Sequence, residues 1–458
     1  MDQEDRARRG DTGRIAAAEL STEGVTAVAV TWVDTSGITR VKAVPVTRLQ
    51  HAAAWGIGAS PVFDAFLLDD SIVSGRYAGG PIGDLRLHPD LDRIAVLAAM
   101  PGWAWSPAER YDQDGRPHPQ DSRALLRREI GELAVDGWTV RAAFEIEWAL
   151  SAGEGDEFVP ACQGPAYGMT RIGELSGYLT DLLDALSITG VSVDQIHPEY
   201  AAGQFELSVA AEDPVAAADT AVLVRETIRA VSATHGMRAS FAPKVLPDGV
   251  GNGGHVHLSL WRDGINAMSG GRGAYGLTGP GEAFIAGILD RMPALLAVGC
   301  PSVASYLRLI PSHWAGAYAC WGLENREAAV RFITGPAGIR DQAANVEVKC
   351  FDQAANPYLA LTALLAAGRA GLAQEAVLPE PIEADPATLD PADREARGIK
   401  ALPSSLTEAV KAFEADSVLA AALGAEVTDT IVTVRRGELA LFEGAGPAEI
   451  CAGTRWRY

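Results

Sequence analysis

Four short apolar segments each carry polar residues at alternate positions. These are Glu145 and Glu147 in FEIEW, Gln204 and Glu206 in GQFE, His255, His257 and Ser259 in HVHLS, and Glu347 with Lys349 in VEVK. Side chains alternate across a strand with a period of two, so each set shares one face of its strand. Taken singly, each set has a plain reading. E-x-E suits a solvent-facing strand edge, GQFE the polar rim of a loop, and Glu347 with Lys349 a surface ion pair. H-x-H after the glycine run Gly251–Gly254 suits a tight hairpin with two half-buried histidines. Taken together, the segments place Glu145, Glu147, Glu199, Glu206, Glu347 and His255 on strands of one sheet. Adjacent buried carboxylates repel and need a cation. Five carboxylates and an imidazole suit two or three hard divalent ions, Mg²⁺ or Mn²⁺, with open water positions. Such ions commonly hold phosphates, and Arg308, Arg326 and Arg331 offer guanidinium groups that suit phosphoryl transfer.

The remaining pattern bounds the fold. The chain has 458 residues, enough for one large domain and a smaller one. A net charge of −21 argues against nucleic acid, which demands basic patches. It has no apolar run long enough for a membrane span and no apolar leader at its N-terminus. Its five cysteines are scattered without C-x-x-C spacing, which fits a reducing cytoplasm and neither a disulfide framework nor a zinc site. Val25–Val46 reads as a hairpin turning at Thr35-Ser36-Gly37, and 21–108 as a small α+β domain. The turn-rich stretch Asp112–Pro117 marks a boundary, and strands alternating with helices over 115–458 predict one α+β layered domain. Strands are expected at 238–245 and 346–351, one helix at 281–298, and two helices, 404–423 and 425–440, at the end.

The ordered motifs resemble the glutamine synthetase family, bacterial type I-like. PKVLPDGVGNGGHVHLS (243–259) is similar to its nucleotide-site signature. FEIEW resembles its first glutamate strand, HPEYAAGQFE its H-x-E…G-Q-x-E element, NREAAVR its N-R-x-x-x-x-R element, and VEVKCFDQAANPYLALTALL its E-x-R…D-x-x-A-N-P-Y-L segment. The resemblance spans roughly 30–360. It implies an α+β fold: a small N-terminal β-grasp domain, then a catalytic domain with a curved antiparallel sheet and flanking helices. It also implies a homo-oligomeric ring, hexamer or dodecamer, with active sites between subunits. By this likeness Glu147, Glu199 and Glu206 are ligands of one metal, and Glu145, His255 and Glu347 of a second. Arg326 and Arg331 bind phosphate, and Arg308 holds the glutamate α-carboxylate. Lys349 stands where an arginine contacts that carboxylate or the phosphate. Gly251 gives a backbone contact to glutamate, His257 and Ser259 contact the nucleoside of ATP, and Asp64 and Tyr167 match the pocket for the attacking amine. The implied activity is ATP-dependent phosphorylation of the γ-carboxylate of glutamate followed by attack of an amine, with Glu199 and Asp64 helping to remove its proton.

Departures from the family pattern bear on the amine. Where the family carries a flap glutamate in P-G-x-E-A-P, this chain reads Pro311-Ser312-His313-Trp314-Ala315-Gly316, with Trp314 in the glutamate's place. F-D-G-S-S is replaced by Phe63-Asp64-Ala65-Phe66-Leu67, and Gln342 and Asn345 stand where basic residues are common. A site that loses a carboxylate and gains an indole suits an alkylammonium better than NH₄⁺. The expected acceptor is therefore a primary amine, ethanolamine or a polyamine, giving a γ-glutamylamide as in amine catabolism. A true glutamine synthetase using ammonia and a non-catalytic ring-forming relative are the alternatives. Residues 375–400 contain no tyrosine, so the adenylylation site of some type I members has no counterpart. Peptide mass spectrometry of protein from its native host should find no adenylyl group in this segment.

Overall fold

All four polar-paired segments lie in one ten-stranded sheet of the computed structural model, which describes residues 1–458. A smaller sheet precedes it. Its strands are β1 (Ala27–Val33), β2 (Thr39–Pro45), β3 (Ile57–Ala59), β4 (Leu85–Pro89), β5 (Ala95–Val96) and β6 (Trp103–Tyr111), in the order β2-β1-β6-β4-β3 with β5 against β6. The hairpin pairs antiparallel from Ala27–Pro45 to Val33–Thr39, and β1 runs parallel to β6. Val28, Val30, Leu49 and Leu87 fill the core of this unit. The unit reaches beyond 21–108 at both ends: β6 runs to Tyr111, and Gln3–Thr22 is a full helix lying on the helix Leu49–Trp55. Asp2 caps that first helix by accepting from the Asp5 amide.

The large sheet comprises β7 (Thr139–Ser151), β8 (Val193–Pro198), β9 (Gln204–Val209), β10 (Arg238–Ser240), β11 (Val256–Arg262), β12 (Ile265–Asn266), β13 (Tyr318–Leu323), β14 (Ala328–Ile333), β15 (Asn345–Val348) and β16 (Lys400–Ala401). The order is β16-β13-β14-β15-β11-β7-β9-β8, with β10 on β7 and β12 on β11. Every pairing is antiparallel except β13 with β14. Ile146, Trp148, Phe205 and Leu207 sink into the core from the strands that also carry the acids, as period-two alternation requires. The apolar helix Pro357–Ala373 lies in that core, opened by Asn356, whose side chain accepts from the amides of Tyr358 and Leu359. No single helix is long and apolar enough to cross a membrane.

Several boundaries differ from expectation for local reasons. The strand predicted over 238–245 ends at Ser240, because the Phe241 amide bonds to the carbonyl of Tyr458 and Asn252 Nδ2 takes the carbonyls of Ser240 and Ala242. The helix predicted over 281–298 is two, Gly279–Asp290 and Met292–Gly299, since Pro293 has no amide hydrogen to continue a helix. The strand predicted over 346–351 is Asn345–Val348. The helix predicted over 404–423 breaks at Asp416, which caps a second helix through the amides of Val418 and Leu419. A further helix, Pro447–Thr454, ends the chain.

The two sheets are joined by buried polar contacts. Gly37, at φ +82°, brings the β1–β2 turn so close to Ala354 that a Cβ there would lie 1.9 Å from the Ala354 carbonyl oxygen. Arg123 grips Asp219 through two bonds of 2.9 and 2.7 Å and reaches Asp90 of the small unit at 2.7 Å. Tyr358 adds a third bond to Asp219, which is fully buried. Removing one partner of such a pair strands the other charge. Arg123→Met should cost roughly 3–5 kcal/mol in a urea denaturation measurement.

Candidate active site

Strand register turns the four motifs into a row. His197 on β8 faces Glu206 on β9, which faces Glu147 on β7. Farther along, His257 on β11 faces Glu347 on β15, which faces Arg331 on β14. Glu145 bridges the halves. Its Oε2 lies 2.8 Å from His255 Nδ1 and its Oε1 lies 3.1 Å from His257 Nε2. Three sets of donors converge, each with its atoms within 4.8 Å of one another: His197, Glu199 and Glu206; Glu145, Glu206 and His255; and Glu145, His257 and Glu347.

The glycine run makes room for this row. A Cβ on Gly253 would lie 2.5 Å from His255 Nε2 and 2.6 Å from Glu147 Oε1. Gln204 Nε2 stands beneath it, 3.0 Å from Glu147 Oε2, 3.0 Å from the Gly251 carbonyl and 3.1 Å from Asn252 Oδ1. Gln353 pins the same loop by donating to the carbonyls of Glu145 and Gly253. Gly251 packs against the stem of Arg308, whose guanidinium donates to the carbonyls of Lys349 and Cys350.

The electrostatics divide the row into two ends. At one, burial and the like charges of Glu206 and Glu199 push Glu147 up to about 7. Burial also raises Glu206, against the pull of its bond to His197. That bond takes His197 up to about 9. At the other end burial would raise Glu347, but Lys349, His255 and His257 hold it down at about 2. Burial works against charging His257, yet Glu145 lifts it to about 9. The chemistry of the donors fits divalent cations: buried carboxylates at the first end share protons and imidazoles where a 2+ charge would relieve their repulsion.

All six residues expected to hold metal thus stand in one row. Glu147 is reached across the strand from Glu206 rather than within a converging triplet. The other expected residues are placed as follows. His257, expected at the nucleoside, is tied to Glu145 and to Asn345 Oδ1 at 2.9 Å. Ser259 accepts from the Trp261 indole, with no contact to the row. Lys349 is buried with its amine 3.0 Å from Glu347. Asp64 lies within the small unit, buried, with both carboxylate oxygens bonded to Arg110 Nη1 at 3.0 and 2.8 Å. A carboxylate so enclosed is no free base for an amine. Tyr167 does reach the row, its hydroxyl donating to Glu199 Oε2 at 2.9 Å. Arg331 is held by Glu347 at 3.0 Å and Glu324 at 2.5 Å, while Arg326 makes no ion pair and hangs 5.9 Å over the Trp314 ring. Trp314 itself is 59% exposed at φ +56°.

His197 has no role in the sequence-based assignment, although H-P-E puts it two residues before Glu199 on an extended segment. Asn345 and Gln353 carry no local signal, because their partners lie on other strands. Gly253→Ala should disturb Glu147 and His255 without unfolding the sheet. Calorimetric Mn²⁺ affinity should fall roughly 10–100-fold with an unchanged circular dichroism spectrum.

The family described as "Glutamine synthetase, catalytic domain" matches residues 119–450. Gamma-glutamylpolyamine synthetase GlnA3 of Streptomyces coelicolor is 57% identical over 456 residues, covering 98% of each chain. Among solved structures, a novel glutamine synthase homolog superposes with a TM-score of 0.85 at 34% identity, over 95% of this chain and 99% of that one. A GmaS/ADP complex superposes with a TM-score of 0.82 at 28% identity, over 94% and 97%. The chain belongs to the glutamine synthetase family, whose members are ATP-dependent carbon–nitrogen ligases that work with divalent metal ions.

Proposed function

We propose that the protein joins the γ-carboxylate of L-glutamate to a primary amino group of a polyamine, consuming ATP and releasing the γ-glutamylamide, ADP and phosphate. The observation that carries this reading is the 57% identity, over nearly the whole of both chains, to a gamma-glutamylpolyamine synthetase. Trp314 in the place of the flap carboxylate supports it, since an indole face attracts an alkylammonium.

In this reading Glu147, Glu199 and Glu206, and Glu145, His255 and Glu347, hold two or three Mg²⁺ or Mn²⁺ ions. Bound there, the ions supply Lewis-acid stabilisation of charge on the transferring phosphoryl group. Arg326, free of carboxylate partners, and Arg331 meet the phosphates of ATP. Arg308 and the Gly251 backbone position glutamate. Glu199, steadied by the Tyr167 hydroxyl, faces the incoming amine and accepts its proton. The six-stranded N-terminal unit is read as the family's β-grasp domain, and the assembly as a hexameric or dodecameric ring. Five cysteines, all free and buried, support a reducing cytoplasm.

The test is phosphate release from ATP with glutamate and Mg²⁺ across putrescine, spermidine, ethanolamine and ammonia. Polyamines should give the highest kcat/KM. Highest turnover with ammonia would make the protein a glutamine synthetase, and release with none would make it a non-catalytic relative. Trp314→Glu should shift the kcat/KM ratio toward ammonia by roughly tenfold, the equivalent of a lost cation–π contact of about 1–2 kcal/mol.

A further inference from the structure

Glu199 is the one carboxylate of the acid row that no strand carries. β8 ends at Pro198 and β9 begins at Gln204, so strand register does not set its direction. Its amide donates to the Gln204 carbonyl at 2.8 Å, which ties it to β9. Its Oε2 accepts from the Tyr167 hydroxyl at 2.9 Å and from the Tyr200 amide at 3.1 Å. The Tyr167 bond depends on a loop, 164–168, whose own tie to the 199–201 turn is weak: the Tyr167 amide donates to the Glu199 carbonyl at a long 3.4 Å. Tyr167 also holds φ +57°, a conformation that persists in a residue other than glycine only where its surroundings impose it.

Arg171, in the short helix Met169–Glu174, imposes it. The side chain is only 3% exposed, and all of its hydrogen bonds go to main-chain carbonyls. Nη1 donates to Glu199 and Ala201, each at 2.6 Å. Nη2 donates to Gly164 at 2.8 Å and to Tyr200 at 3.3 Å, and Nε to Gly164 at 3.3 Å. Three successive carbonyls of the turn and one carbonyl of the loop thus converge on a single guanidinium. A rigid planar fork with five N–H groups can serve both segments at once, and an ammonium cannot. Buried carbonyls need donors, so the two segments are held together at this one side chain.

We propose that Arg171 is the positioning residue of the amine end of the site: it holds the 164–168 loop against the 199–201 turn and so keeps Tyr167 on Glu199. It touches no substrate and acts through those two residues. The Tyr167 ring is 50% exposed, so the same hold fixes an aromatic face beside Glu199 for an arriving alkylammonium. The proposal rests on the amine-ligase reading above, which brings the amine to Glu199, and names a residue that reading does not use. Without the guanidinium the loop parts from the turn and Glu199 Oε2 loses the Tyr167 hydroxyl. The Glu199 amide keeps its bond to the Gln204 carbonyl, so the ends of the site that take ATP and glutamate are left in place.

The test compares the intact protein with Arg171→Met, which keeps the apolar stem without the fork, and Arg171→Lys, which keeps the charge but reaches only one of the two segments. Lysine retains a buried donor, so the comparison stands on that variant where Arg171→Met does not fold. Phosphate release is measured with putrescine, ATP and glutamate varied in turn. Both variants should raise the KM for putrescine about tenfold and leave those for ATP and glutamate within about twofold. Calorimetric binding of putrescine, which needs no turnover, should weaken by the same factor. No putrescine binding by the intact protein, a putrescine affinity unchanged in both variants, or full affinity restored by lysine overturns the proposal. So does a parallel rise of all three KM values, the mark of a merely structural role. Putrescine binding that depends on Arg171 in a protein that turns over no amine keeps the positioning role and removes the ligase reading. Polyamine turnover with putrescine binding unchanged in both variants does the reverse.

Discussion

Five carboxylates on one sheet face repel one another, and most of the polar architecture around them answers that repulsion. His255 and His257 close on Glu145, His197 on Glu206, and Lys349 and Arg331 on Glu347. Each cation is delivered by strand register: a one-residue slip in β9, β11 or β15 would turn its polar residues to the core side and expose Leu207, Leu258 or Val346. The apolar core and the acid row therefore specify the same pairing. Gly253 and Gln204 supply what register cannot, a loop close enough to cover Glu147 and a donor to steady it.

The small N-terminal sheet is not an independent attachment. Its hairpin turn meets Ala354 with no room for a side chain, and Asn356 does double duty. The side-chain oxygen of Asn356 caps the core helix Pro357–Ala373, while its nitrogen donates to the carbonyls of Val33 and Asp34. Arg435 reaches from the helix Ala425–Leu441 to the Thr35 carbonyl. The segment that opens the catalytic core is thus held by the first hairpin of the chain.

Much of this was legible in the sequence because it is local. FEIEW, GQFE, HVHLS and VEVK announce both a strand and its polar face, and Asn356-Pro357 announces a helix start through a cap that acts within three residues. What was illegible depends on residues far apart in the chain. Asp64 reads as an available acid until Arg110, 46 residues on, is seen to occupy it. Asn345, 88 residues from His257, bonds its Nδ1 and sets the direction of that ring. The break at Asp416 is a local cap that a run of apolar helix spacing conceals.

Arg331 is shared. One nitrogen serves Glu347 in the row and the other serves Glu324 in the β13–β14 connection. A single guanidinium thus belongs to two electrostatic neighbourhoods, and neither can change charge without altering the other's hold on it. A cation drawn to Glu324 competes for that carboxylate and leaves Arg331 freer toward an anion on its far side; an anion bound to Arg331 releases Glu324 to a cation by the same free energy. Occupancy at the two ends of the site is thereby coupled through one side chain, with no movement of the backbone required.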